Sequence, residues 1–353
     1  MSIQVDKDSV IYVVVPANVS TGGPELLHQL VFHLRVDLKI NAYMYYIPNN
    51  CPNPIHDAYK KYGNPYVREL DDTKKNVLIV PELYQAILTL GKFKNLQKVI
   101  WWLSVDNFYT SFLHQKFFER LSLRIINRIK KGIGLELSDL NELVLKKYKN
   151  YDLKQNIYIK QAILHLVQSE YARQHLITKG IENIKYLSDY LNENFLEIET
   201  DISKSKKNIV AYNPRKGYKY TKKIIDAGRK IGIKFVPIKN MTRNEVIRLL
   251  QRAKVYIDFG NHQGKDRIPR EAAILKCCVI TGLRGSAKYK EDVNVPFDYE
   301  FEGKKENISK VIKKIQQIFN NYEINIEEFQ EYVNQIKEEK NKFLKDLFSI
   351  FTV

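Results

Sequence analysis

Twice along the chain, a short apolar run rich in β-branched residues is followed by a turn and then by apolar residues at helical spacing. That order admits little besides a layered α/β fold. The first instance is Val10 to Val15, closed by Pro16, which reads as a buried strand. Ser20-Thr21-Gly22-Gly23-Pro24-Glu25 then turns the chain into a helix with Pro24 at its start. Leu26, Leu27, Leu30, Val31 and Leu34 form its apolar face. Further runs at Ala42 to Ile47, Asn76 to Val80, Lys98 to Leu103 and Ile163 to Val167 alternate with helical or loop segments. Together they imply a largely parallel sheet covered on both faces. Ser169 caps a helix that Gly180 ends.

The segment Tyr186 to Ser205 breaks the pattern, and the alternation then starts again. Ile209 to Tyr212 reads as a strand, Asn213 to Gly217 as a turn, Tyr218 to Arg229 as a helix and Ile233 to Ile238 as a strand. Thr242 and Glu245 form a capping box for the next helix. Val255 to Asp258 is a strand, Pro269 opens a helix, and Cys277 to Thr281 closes the series. Asn307 to about Phe348 reads as two helices. With 353 residues, 44% of them apolar, there is enough chain for two cores. The expected organisation is a domain over 1–190, a linker over 191–205, a second domain over 206–306 and terminal helices over 307–353. Open parallel sheets bind ligands beyond the carboxyl ends of their strands, so the cleft between two such domains is the expected site.

Charge narrows the partners. The net charge is +17, and between Lys204 and Arg270 there are 19 Lys or Arg against four acids, an excess of +15. Such a stretch suits an anionic partner, whether nucleic acid, a membrane surface or a phosphorylated substrate. No run reaches the length of a membrane span, and the N-terminus lacks the pattern of a secretory signal. Three cysteines, Cys51, Cys277 and Cys278, make no disulfide framework, and a reducing cytosolic compartment is expected. The segment Phe112 to Lys131 mixes Phe117, Phe118, Leu121, Ile125 and Ile129 with five Arg or Lys. Those five are Arg120, Arg124, Arg128, Lys130 and Lys131, with Lys116 a sixth cation in the segment. The segment reads either as an amphipathic helix for an anionic membrane or as a core helix with a basic edge.

Taken singly, the motifs are modest. Gly22-Gly23 before a helix leaves amide groups open for a phosphate, though most such pairs are plain turns. The dinucleotide fingerprint is absent, since no third glycine follows. Gly260 to Asp266 has one residue too few between its glycines for a Walker loop, and Asp266 stands where Ser or Thr is needed. His262 has no companion at a metal-ligand spacing, so no metal is expected, and a hydrogen-bonded loop histidine competes with any other role. Arg215 and Lys216 follow a strand directly, where two cations clamp a diphosphate or simply solvate a turn. Glu271 near a helix start is favoured by the helix dipole even without a ligand. Trp101 reads as core, while Asp106-Asn107 is either a turn or a polar group at a strand end.

Gly22-Gly23-Pro24-Glu25, Asn213-Pro214-Arg215-Lys216-Gly217 and the run from His262 through Glu271 to Ala273 together resemble the ordered landmarks of retaining GT-B glycosyltransferases, particularly family four. The resemblance covers most of the chain. It implies two doubly wound Rossmann-like domains facing a central cleft, an acceptor-side domain first and a nucleotide-sugar domain second. It further implies transfer of a sugar from a nucleoside-diphosphate donor to a hydroxyl acceptor, with no other cofactor. Arg215, Lys216 and Asp106 would be catalytic, and Gly22, Gly23, Ser188, His262, Gln263, Gly264 and Glu271 would hold the donor. Gln263 and Glu271 match the spacing of the family's paired acids, but Gln263 is neutral where that family has a carboxylate. The implied acceptor is a glycan or lipid-linked glycan and not a nucleic acid; many such enzymes act at the cytoplasmic face of a membrane, where 112–131 would be the contact under its membrane reading and a core helix under the other. The competing readings are an epimerase of the same fold and a non-enzymatic basic protein binding nucleic acid or anionic membrane.

Overall fold

The structure, a computed structural model, describes residues 3–112, 125, 128, 129, 145, 148, 150–198 and 206–352. The chain forms two compact units. The first comprises Met1–Gln168, Ala172–Leu187 and Leu344–Val353, and the second Ser169–Tyr171 and Ser188–Phe343.

A small parallel pair in the first unit joins β1 (Ile3–Gln4) to the last strand of the chain, Phe351–Thr352. Its main sheet contains β2 (Val10–Pro16), β3 (Asn41–Ile47), β4 (Tyr66–Val67), β5 (Val77–Pro81), β6 (Gln97–Trp102), β7 (Leu164–Val167) and β8 (Ile184–Tyr186). All pairings are parallel, in the order β4-β3-β2-β5-β6-β7-β8. The chain therefore runs outward from β2 on one side and returns to β5 on the other. Strands β5 and β6 are apolar almost throughout because both faces of a parallel sheet are covered. Helix α1 (Gly22–Val36) buries the five expected leucine and valine positions, and α2 (Tyr84–Leu88), α3 (Val105–Phe112) and α4 (Glu170–Thr178) follow.

After α5 (Glu193–Leu196), the second unit repeats the plan with β9 (Lys207–Tyr212), β10 (Lys234–Pro237), β11 (Ala253–Asp258), β12 (Cys278–Gly282) and β13 (Glu300–Phe301), again all parallel, in the order β10-β9-β11-β12-β13. Three helices connect these strands: α6 (Tyr218–Arg229), α7 (Arg243–Arg252) and α8 (Arg267–Ile274). The capping box at α7 forms as its sequence requires, with Thr242 accepting from the Glu245 N–H and Glu245 accepting from the Thr242 N–H. The Lys206 ammonium ties several element ends together, donating to the carbonyls of Leu250, Ala253 and Leu275 at 2.9, 2.8 and 2.7 Å.

Two expectations are corrected. Helix α8 begins at Arg267, with Asp266 as its N-cap residue, so Pro269 lies inside the first turn, where its missing N–H has no intrahelical partner to lose. The terminal segment forms four helices in place of two: α9 (Ile308–Asn320), α10 (Tyr322–Glu327), α11 (Gln330–Lys337) and α12 (Glu339–Ile350). Tyr322, Tyr332, Phe329 and Phe343 of this segment are all fully buried. Of the segment 112–131, Ile125, Arg128 and Ile129 are exposed, and the rest beyond Phe112 lies outside the described residues. Among the described residues, no helix is long and apolar enough to cross a membrane.

Candidate functional site

In the second sheet the strand order reverses between β9 and β11, and the loops leaving these two strands are pressed together. Gly217 has φ +60°, and a Cβ there would meet the Phe259 carbonyl oxygen at 2.4 Å. A Cβ on Gly260 would meet Lys216 Cβ at 2.4 Å. Only glycine fits at either place, and the close approach sets the Arg215-Lys216 turn against the loop that runs from Phe259 to Asp266. Arg215 is exposed. Lys216 Nζ donates to both oxygens of Asp266, at 2.8 and 3.0 Å.

Beneath that ion pair lies His262, fully buried and with no hydrogen bond on either ring nitrogen. Its Nδ1 is 3.7 Å from Asp266 and its Nε2 is 3.8 Å from Asp258. Asp258, His262 and Asp266 each present a ligand atom within 4.8 Å of the others, a set that could hold a metal ion. Strand-to-loop spacing hid this cluster from sequence reading, since the three positions share no regular element. Asp258 is held by the Tyr256 hydroxyl and the Gly260 N–H, each donating at 2.9 Å. Burial, and then Asp258, raise the Tyr256 pKa well above its ordinary value, so it remains a donor.

Gln263 is half-buried, Gly264 is buried and its carbonyl accepts from Ser286 Oγ at 2.6 Å. Glu271 is buried on α8, with one oxygen 3.9 Å from Arg243. The next residue back, Arg270, is the centre of a buried network that sequence reading missed. It donates to Asp189 at 2.6 and 3.2 Å, to Glu339 at 2.6 Å and to the Lys265 carbonyl at 2.8 Å, while Lys265 pairs with Glu339 at 3.0 Å. Burial opposes the charge on Arg270 and Lys265, and Asp189 with Glu339 more than reverses it, holding both cations above their ordinary pKa. Ser188, beside Asp189, is buried.

The corresponding reversal in the first sheet falls between β2 and β5. Gly22 and Gly23 are the first two residues of α1, a 15-residue helix whose N-cap Thr21 makes no side-chain cap. Packing does not demand glycine at position 23, where a Cβ would meet only Leu103 at 3.7 Å. Asp106 is buried in the first turn of α3. Trp101 and Trp102 are core residues, donating to the Leu187 carbonyl and to His165 Nδ1, each at 3.1 Å. Glu82 follows β5 and accepts the Leu103 N–H at 3.0 Å. Burial drives its pKa up to about 8 against the lowering effect of backbone N–H groups, so a neutral carboxyl sits at this strand end.

No protein-family model and no curated protein matches the sequence. Solved structures do match. Sucrose-phosphate synthase from Thermosynechococcus elongatus superposes with a TM-score of 0.59 at 11% identity, covering 96% of this chain and 97% of that one. Anabaena HepE in complex with UDP-glucose gives 0.53 at 10%, covering 96% of each. The chain has the GT-B fold. A TarM variant from S. aureus, in a complex that includes UDP, gives 0.53 at 15%, with 80% of this chain matched. This chain spans 56% of the length of TarM. The N-terminal domain of a Candida albicans trehalose-6-phosphate phosphatase matches too, with a TM-score of 0.56 at 10% identity, covering 96% of this chain and 95% of that one. Fold therefore leaves the chemistry to be argued from the site.

Proposed function

We propose that the chain is a glycosyltransferase that moves a sugar from a nucleoside-diphosphate donor to a hydroxyl acceptor, with retention of anomeric configuration. The observation that carries this reading is the pair Arg215 and Lys216 at the carboxyl end of β9, where the strand order of the second sheet reverses. As the glycosidic bond breaks, negative charge grows on the diphosphate. Fixed cations then stabilise the transition state more than the bound donor. Arg215 supplies a planar fork for the phosphate oxygens and Lys216 a point charge. Glu271 accepts the ribose hydroxyls, and the 262–264 loop, with Gln263 as a neutral contact, faces the sugar. Ser188 is a further diphosphate contact. In the first unit, the N–H groups at Gly22 and Gly23 are offered to an anionic group, and Asp106 serves the sugar or acceptor. The reading is supported by HepE and TarM, GT-B proteins whose solved complexes contain UDP-glucose and UDP respectively. The acceptor is a glycan or lipid-linked glycan.

A thermal-shift screen of nucleotide sugars, followed by incubation of the best donor with glycan acceptors, tests the reading. Ligand binding to the native state raises the melting temperature, and mass and NMR spectra of the product give the transfer and its anomeric outcome. A donor that isomerises with no acceptor product identifies an epimerase and overturns the proposal.

A further inference from the structure

His262 is buried with both ring nitrogens unpartnered, a rare state for a polar side chain that calls for an explanation. The ring lies between two carboxylates. Asp266 faces Nδ1 at 3.7 Å and Asp258 faces Nε2 at 3.8 Å, both too far for hydrogen bonds. Among the described residues, no other three His, Cys, Asp or Glu side chains bring ligand atoms within 4.8 Å of one another. Asp258 is itself buried and accepts from two neutral donors, the Tyr256 hydroxyl and the Gly260 N–H. His262 is the sole basic group within ion-pair distance of Asp258 among the described residues, and a buried carboxylate that no fixed cation reaches is costly. Thr281 on β12 is the register partner of Asp258 on β11, and its buried hydroxyl oxygen also has no partner. The want of partners thus spans two neighbouring strand ends.

A metal ion among these groups accounts for both ring nitrogens at once. One nitrogen ligates the ion, and the other keeps its proton and donates it to the carboxylate that it faces, the arrangement that orients a ligating imidazole. The donors already on Asp258 are no obstacle, since a carboxylate offers about four acceptor positions and ligating carboxylates are commonly hydrogen-bonded themselves. They hold its oxygens in place. Asp266 differs, being partly exposed and covered on both oxygens by the Lys216 ammonium. It is therefore the side from which an ion enters, and Lys216 is the cation that the ion displaces. A donor set of one imidazole and two carboxylates suits Mn²⁺ or Zn²⁺ better than Mg²⁺ or Ca²⁺, which prefer oxygen alone.

We propose that Asp258, His262 and Asp266 form a binding site for one divalent transition-metal ion of the Mn²⁺ or Zn²⁺ class, and that the ion replaces the Lys216 ammonium on Asp266. The site goes beyond the donor reading above and stands without it, because the buried cluster alone defines its ligands.

Mn²⁺ alone, titrated into the whole chain after EDTA treatment and desalting, tests this by calorimetry and by EPR of the unbound ion, and Zn²⁺ is titrated in the same way. One ion per chain is expected. The pulsed-EPR spectrum of bound Mn²⁺ should show hyperfine coupling to an imidazole nitrogen, a signature read on the wild type without any variant. His262→Gln loses that coupling and weakens binding by about tenfold or more, as does Asp266→Asn for the affinity. Lys216→Ala, with the competing cation gone, binds Mn²⁺ about two- to fivefold tighter. Melting temperatures in metal-free buffer establish that each variant is folded, and the wild-type spectrum decides where one is not. Failure of both ions to bind with a dissociation constant below ~1 mM overturns the proposal and leaves the ring to ordered water. Bound Mn²⁺ without nitrogen coupling overturns it too, as does binding that a folded His262→Gln leaves unchanged. Binding by Lys216→Ala no tighter than wild type places the ion away from Asp266 and overturns the assignment. UDP is absent throughout, so these outcomes and those of the donor screen are read separately.

Discussion

Arg215 and Lys216 stand next to each other but in different states, one exposed and the other held by Asp266. Each alanine replacement removes one charge-assisted contact to the leaving group, so Arg215→Ala and Lys216→Ala are expected to lower turnover by about 10² to 10³ with the melting temperature kept. Steady-state kinetics on folded variants checks this, and full activity in both removes the clamp. Glu82 offers a prediction of another kind. Its folded carboxyl keeps its proton up to about pH 8, whereas the unfolded chain releases it in the ordinary carboxylate range. The wild type therefore loses stability relative to Glu82→Gln as pH rises through that window, by up to ~1.4 kcal/mol per unit, and the difference levels off above it. Denaturant unfolding at pH 5, 7 and 9 measures it; a pH-independent difference would show that the carboxyl is ionised throughout. Nothing in the sequence marks Glu82, because its proton is held by burial and burial there comes from strands far apart in the chain.

Among the elements, α8 carries Glu271 and is fixed through Arg270. The guanidinium reaches Asp189, beside the point where the chain enters the second unit, and Glu339 at the start of α12, shortly before it leaves. Removing one partner of a buried network strands the others, so Arg270→Gln is expected to cost about 3–5 kcal/mol of unfolding free energy. Chemical denaturation is the measurement, and a loss under ~1 kcal/mol would show that Lys265 alone suffices for the two acids. The elements themselves were largely legible. The periodicity of α1 and the capping box of α7 are local signals, and both formed as read. The start of α8 and the four terminal helices were not legible, since proline tolerates several places in a first turn and short helices are set by the core they pack on.

For the whole molecule, the concentration of positive charge has two destinations. Lys206 and Lys254 are spent on carbonyls of the second unit, and Lys265 and Arg270 lie in its buried network. We propose that part of the remaining charge serves an anionic surface. We expect sedimentation with anionic liposomes at low salt that fades at high salt and is absent with neutral ones, each near-surface cation contributing roughly 1 kcal/mol. If the contact is 112–131, Phe117→Ser with Phe118→Ser weakens it; binding to neither liposome at any salt overturns the expected contact.

The alternation of apolar runs, turns and helical faces determined the fold class and the parallel sheets, because strand and helix periodicities are written residue by residue. The Asn213–Gly217 turn was legible for the same reason, as turn chemistry is local. Only the tertiary structure decided that this turn touches the loop after β11, that Lys216 rests on Asp266, that an unpartnered His262 lies beneath them and that four buried charges meet at Arg270. These depend on which strands lie side by side and on what burial does to a charge, and neither is carried by spacing along the chain.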